Sequence, residues 1–137
     1  MEPIKVFLDT NIVLDYYTGR MGDGLAEKII QTGEHREYQL CISVLTGINA
    51  LYVLRKFSRA VGASTLSGQF TILPMDAEQW EQASLTELED YEDAFQLACA
   101  RSNECKVLIT RDKPLLEAES GTLEALSPEE FISRIRL

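Results

Sequence analysis

The order of apolar and polar positions along the chain predicts strands and helices in alternation. Ile4-Lys5-Val6-Phe7-Leu8 is an apolar, β-branched run that reads as a buried strand, and it breaks off at Asp9-Thr10-Asn11. A helical pattern covers residues 12–17, with Asn11 placed to cap it. Gly19 and Gly22 punctuate the next turn, after which Leu25, Ala26, Ile29 and Ile30 form a helical face that Gly33 ends. A second strand is predicted over residues 38–42. Ser43 then caps a helix whose broad apolar face is Val44, Ile48, Leu51 and Tyr52, flanked by Leu45 and Leu54, and whose end carries Arg55, Lys56 and Arg59.

Residues 60–69 are small and weakly patterned, which predicts a short helix or loop. A third strand over 70–73 is stopped by Pro74, and Asp76 opens a helix containing Trp80, Ala83 and Leu88. Residues 91–101 make a helix that is apolar on most sides and therefore largely buried. A fourth strand over 107–110, a helical turn over 114–118 and a brief edge strand near 123–126 follow. Ser127-Pro128-Glu129-Glu130 starts the last helix, with Ser as N-cap, Pro at N1 and Glu at N3.

Strands alternating with helices argue for a parallel sheet covered on both faces. No repeat or linker interrupts the pattern, so residues 1–137 are expected to form one domain. A chain of 137 residues can bury about two-thirds of the surface it exposes when unfolded. Its net charge of −9 argues against a broad basic surface and so against nonspecific coating of DNA. A confined site for cations, or a basic protein partner, remains compatible with that charge.

No signal peptide is visible after Met1, and no apolar run approaches the ~20 residues needed to cross a bilayer. Cys41, Cys99 and Cys105 form neither an even framework nor a Cys-x-x-Cys pair, and Cys41 and Cys99 lie in apolar runs as small core residues. These features together predict a reducing, cytoplasmic setting with no membrane partner. His35 falls in a polar loop and reads as a solvated surface residue.

Three acids share one context. Asp9 follows the first strand, Asp112 follows the fourth, and Asp93 lies in the first turn of the buried helix before that strand. In an open parallel sheet all strand carboxyl ends lie on one edge, where such folds hold their ligands. Three aspartates without Cys or His suit Mg²⁺ or Mn²⁺ better than zinc. Helix capping explains each acid singly: Asp90 as an N-cap with Asp93 as its N3 partner, Asp112 before Lys113-Pro114, and Asp9 if the first helix starts early. Their joint placement on one edge favours a site. Asp15 and Glu92 read as surface or supporting residues.

Val6-Phe7-Leu8-Asp9-Thr10-Asn11, the helix of Asp93-Ala94, Ile109-Thr110-Arg111-Asp112 and the closing Leu126-Ser127-Pro128-Glu129-Glu130-Phe131 together resemble the PIN domain pattern over essentially the whole chain. The resemblance implies a three-layer α/β/α sandwich around a parallel sheet, and a Mg²⁺- or Mn²⁺-dependent endoribonuclease. It makes Asp9, Asp93 and Asp112 the metal ligands, with Thr10, Asn11 and Thr110 steadying the site. Small stand-alone members resemble VapC-type toxins, which implies an RNA substrate, an antitoxin protein as partner and a homodimer.

In one place the chain departs from the pattern. The family usually carries a further acid early in the helix after the second strand, and here Asn49 stands at that place. Between Glu37 and Asp76 there is no acid at all. Asp90, one turn before Asp93 on the same helix face, is the candidate to restore the charge as a further metal ligand. The alternative function is a catalytically degenerate module that holds RNA or protein without cleaving. Arg55, Lys56 and Arg111 are candidate phosphate contacts, with Arg59, Arg20 and Arg101 as further candidates; at the helix end the simpler reading is a set of solvated cations favouring the negative pole of the dipole.

Overall fold

The computed structural model describes residues 3–35, 38–57 and 60–135. Five parallel strands make one sheet: β1 (Lys5–Leu8), β2 (Gln39–Ser43), β3 (Thr71–Leu73), β4 (Val107–Ile109) and β5 (Glu124–Leu126), in the order β3-β2-β1-β4-β5. β1 lies at the centre because its Val6, Phe7 and Leu8 are fully buried on both sides and can pair with two neighbours. Leu8 sits opposite Ile109, and Ile109 opposite Leu126, so these three strands end level with one another.

Alternation of side chains along the strands builds two cores. Val6, Leu8, Leu40, Ile42, Val107, Ile109 and Leu126 face one layer of helices: α1 (Thr10–Thr18), α2 (Leu25–Glu34), α3 (Val44–Leu54), α4 (Ala63–Gln69) and α8 (Pro128–Ile135). Phe7, Cys41, Leu73 and Leu108 face the other layer, in which α6 (Tyr91–Ser102) and α7 (Lys113–Glu117) pack on the sheet and α5 (Ala77–Ser84) packs against α6. The fold is a three-layer α/β/α sandwich. All three cysteines are free thiols buried in the second core. Ser127 and Glu130 close the expected capping box at α8 through bonds of 3.0 and 3.1 Å. Among the described residues no helix is long and apolar enough to cross a membrane.

Several expectations shift. α1 begins at Thr10, not Ile12, and its N-cap is Asp9 rather than Asn11, with the Asp9 carboxylate accepting from Thr10 N. Tyr38 lies outside β2; its hydroxyl bonds the Ile29 carbonyl and its ring meets Phe131 edge-on. Residues 63–69 are helical, and α5 ends before Leu88. Asp15 is not a surface residue. It is 2% exposed, and its two oxygens bind Arg20 and Arg111 at 2.6 and 3.3 Å.

The largest correction concerns the rotation of α3. Its buried residues are Thr46, Ala50 and Leu54, while Val44, Ile48 and Tyr52 face outward. Hydrophobic content alone does not fix the phase of this helix. The Thr46 hydroxyl receives the Gln96 side-chain amide at 2.6 Å and lies 2.9 Å from the Thr10 hydroxyl, and Ser43 donates to Gln96 Oε1 at 2.7 Å. A buried polar group left without these bonds costs more than an exposed apolar stripe.

Replacing Thr46 by Val keeps the side-chain volume and removes the hydroxyl, so the Gln96 amide loses a bond in a dry place. The expected loss of stability is about 1–3 kcal/mol in urea denaturation. A loss below about 0.5 kcal/mol, the range of an uninvolved surface change, would mean that packing alone sets the rotation.

Candidate active site

The carboxyl edge of the sheet gathers the expected acids because β1 and β4 are neighbours. Asp9 N donates to Ile109 O at 3.1 Å, extending the ladder past the last strand residue. The Thr110 hydroxyl donates to Asp9 Oδ2 at 2.8 Å and accepts from Asp112 N at 3.0 Å. Thr10 N donates to the other oxygen, Asp9 Oδ1, at 2.7 Å. Asp9 is thus 7% exposed and held through both oxygens. Its carboxyl is pushed above the ordinary value by burial, against the lowering effect of the Thr110 and Thr10 bonds and with Asp112 and Glu92 adding repulsion.

Asp93 and Asp112 reach the same place from helix starts. Asp112 caps α7, accepting from Leu115 N at 3.4 Å, and Asp90 caps α6, accepting from Asp93 N at 3.1 Å. Capping and gathering therefore coexist. The Asp93 carboxyl is pushed up to about 7, first by burial, then by repulsion from Asp112 and Asp90, with the nearness of Asp112 favouring the protonated form and Asp9 adding to it. Asn49 lies across from this group, its Nδ2 donating to Glu92 Oε1 at 2.7 Å.

The remaining acids nearby are neutralised. Asp15 binds two arginines, and Arg111 continues to Asp23 and Glu129 at 3.1 and 3.2 Å. Arg20 also donates to Asn11 Oδ1 at 2.9 Å, so Asn11 turns toward this ion-pair network. Asp9, Asp90, Glu92, Asp93 and Asp112 form no ion pair with any described residue. Carboxylates crowded without a counter-charge either keep protons or take up a cation, and their all-oxygen chemistry suits Mg²⁺ or Mn²⁺. Among the described residues no three acidic, His or Cys side chains stand at ready-made metal spacing. The donor set still fits, because such hard ions keep several waters and need only one or two carboxylates.

Beneath the acids lies the polar layer of Thr10, Ser43, Thr46 and Gln96. The sequence reading missed Gln96 in this role, although a glutamine one turn after Asp93 in Ala94-Phe95-Gln96-Leu97-Ala98 is the signal for it. It also left out Asp15 as the acid that holds Arg111. Of the candidate cations, Arg111 is surrounded by three carboxylates, Arg101 lies beside Gly121 at the far end of α6, and Arg59 lies outside the described residues. Arg55 and Lys56 are exposed at the end of α3, with Lys56 stacked 4.5 Å over the Tyr52 ring.

A carboxyl raised to about 7 keeps its proton in the folded chain over a range where the unfolded chain has lost it. The Asp93 contribution to stability therefore falls as pH rises from about 4 to about 7 and then levels off. In EDTA, the melting temperature should decline across that window in the wild type and decline less in Asp93→Asn. Equal slopes for the two proteins would contradict the crowding of Asp93.

The chain and its fold have counterparts among known proteins. Over 143 aligned positions the chain is 27% identical to Ribonuclease VapC1 of Aquifex aeolicus (strain VF5), covering 98% of this chain and 97% of the relative. Its fold matches a chain of a toxin–antitoxin complex from Klebsiella pneumoniae with a TM-score of 0.67, at 22% identity over 90% of this chain and 97% of that one. Mycobacterium tuberculosis VapC20, a sarcin–ricin loop cleaving toxin, matches with a TM-score of 0.63 at 21% identity, over 87% and 98% of the two chains. A family model described as PIN domain matches residues 5–114, and with the sheet order, the carboxyl-edge acids and these relatives it establishes that the chain belongs to the PIN domain family.

Proposed function

We propose that this chain is a single-domain, Mg²⁺- or Mn²⁺-dependent endoribonuclease and the toxin of a toxin–antitoxin pair, acting in the cytoplasm. The observation that carries the reading is the meeting of Asp9, Asp93 and Asp112 at one sheet edge, with no ion pair to any described residue. The relative named a ribonuclease supports the reaction, and the solved toxin–antitoxin relative supports an antitoxin protein as partner.

In this reading Asp9, Asp93 and Asp112 would hold the ion, directly or through its waters, and Asp90 would add charge beside Asp93. When bound, a divalent cation makes water more acidic and neutralises charge on the phosphodiester. The residues of the chain supply position. Thr110 and Thr10 N fix both oxygens of Asp9, while Thr110 also holds the backbone of Asp112. Gln96 locks α6 to α1 and α3, so Asp93 keeps its place opposite Asp9. Arg111, with its charge met by Asp15, Asp23 and Glu129, braces the turn that carries Asp112 rather than facing solvent as a phosphate contact.

Arg55 and Lys56 are the phosphate contacts this reading favours, about 9 Å of helix rise beyond Asn49. The outward stripe of Val44, Ile48 and Tyr52 on the same helix supports a protein interface, which a homodimer would cover. A second reading, a PIN-fold module that binds without cleaving, is favoured by the uncharged Asn49.

Purified protein given structured and unstructured RNA with Mn²⁺ should cleave, and Asp9→Asn should reduce cleavage to background. A wild type that binds RNA but does not cut it selects the binding module instead. For RNA held by Arg55 and Lys56, replacing both with Gln should lower the slope of log affinity against log salt by about 1.4 for single-stranded RNA. An unchanged slope would remove both residues from the RNA path.

A further inference from the structure

We infer that Glu92 is a fourth carboxylate of this site, delivered from α6 and aimed by Asn49 of α3. The inference rests on the metal-site reading above and concerns how this chain carries negative charge beside the uncharged Asn49.

α3 and α6 meet at the carboxyl edge as a ladder of polar rungs. The inner rungs are Ser43 and Thr46 against Gln96, at 2.7 and 2.6 Å. One helical turn outward on each helix, at the i+3 position from Thr46 and the i−4 position from Gln96, stand Asn49 and Glu92. Asn49 Nδ2 donates to Glu92 Oε1 at 2.7 Å, forming the outer rung. The inner rungs are buried, and the outer pair stands one turn along the same two helix faces.

The two side-chain types are complementary at this distance. A glutamate at 49 opposite Glu92 would set two carboxylates against each other, and one would have to move or keep a proton. An amide at 49 removes that conflict and donates to the carboxylate. The site then has the formal charge it would have with Glu at 49 and a neutral residue at 92. Asp90 is placed differently, since one of its oxygens caps α6 by accepting from Asp93 N at 3.1 Å. Glu92 Oε2 takes no hydrogen bond from the described residues, which leaves it to meet a cation or its water. Asn49 is a positioning residue in this arrangement, and Glu92 is the acid it positions.

The test is a calorimetric titration of the intact protein with Mn²⁺ alone, without RNA. Glu92→Gln should weaken binding about tenfold, and the exchange Asn49→Glu with Glu92→Gln should recover most of that loss by moving the charge back to α3. Glu92 is exposed, so circular dichroism should be the same for all proteins. Unchanged affinity in Glu92→Gln, or a double variant that binds no better than Glu92→Gln, would overturn the inference even if the wild type cleaves RNA. Tenfold weaker Mn²⁺ binding with recovery in the double variant would uphold it even if the wild type cleaves nothing, and that second result would overturn only the ribonuclease reading.

Discussion

The pairing of β1 with β4 is the contact on which the rest of the structure depends. It joins residues about one hundred positions apart and sets Leu8 level with Ile109. Only that register places the Thr110 hydroxyl where it can donate to Asp9 and accept from the Asp112 amide. A shift of one residue would turn Asp9 to the other face and leave Thr110 without its partner. The sheet therefore does two jobs with one set of bonds: it closes the core and it aims the acids.

Concentrating acids at one edge of a chain with net charge −9 carries an electrostatic cost, and the chain manages it by sorting. Asp15, Asp23 and Glu129 are met by Arg20 and Arg111, and these acids act as structure. Among the described residues, Asp9, Asp93, Asp112 and Glu92 are met only by hydroxyls, amides and each other. Neutral donors orient a carboxylate without neutralising it, so the field at this edge stays open to a cation. The buried Gln96 layer beneath keeps that arrangement from relaxing outward.

The same Gln96 layer explains the surface of α3. With Thr46 drawn inward, Val44, Ile48 and Tyr52 are turned to solvent together with Phe57 further on. The stripe lies in the acid-free stretch of the sequence and ends in Arg55 and Lys56. One hydrogen-bonded threonine thus decides both where the site wall stands and which face of the molecule is left for a partner.

The chain's own pattern was enough for the strand and helix order, the parallel sheet, the caps at Ser43, Asp76 and Ser127, and the placement of Asp9 and Asp112 on one sheet edge. Each of these follows from local periodicity, capping chemistry or the rule that parallel strands end on one edge. The meeting of Asp9 and Asp112 there needed β4 beside β1. What the sequence could not decide was any choice between two chemically similar positions. Apolar content alone suggested that Ile48 and Tyr52 pack inward, and nothing local marks Asp15 as buried or Glu92 as the acid that meets Asn49. Those outcomes depend on which side chains from distant segments arrive at the same point. Only the packed structure supplies that partner list: Gln96 for Thr46, Arg111 for Asp15, and Asn49 for Glu92.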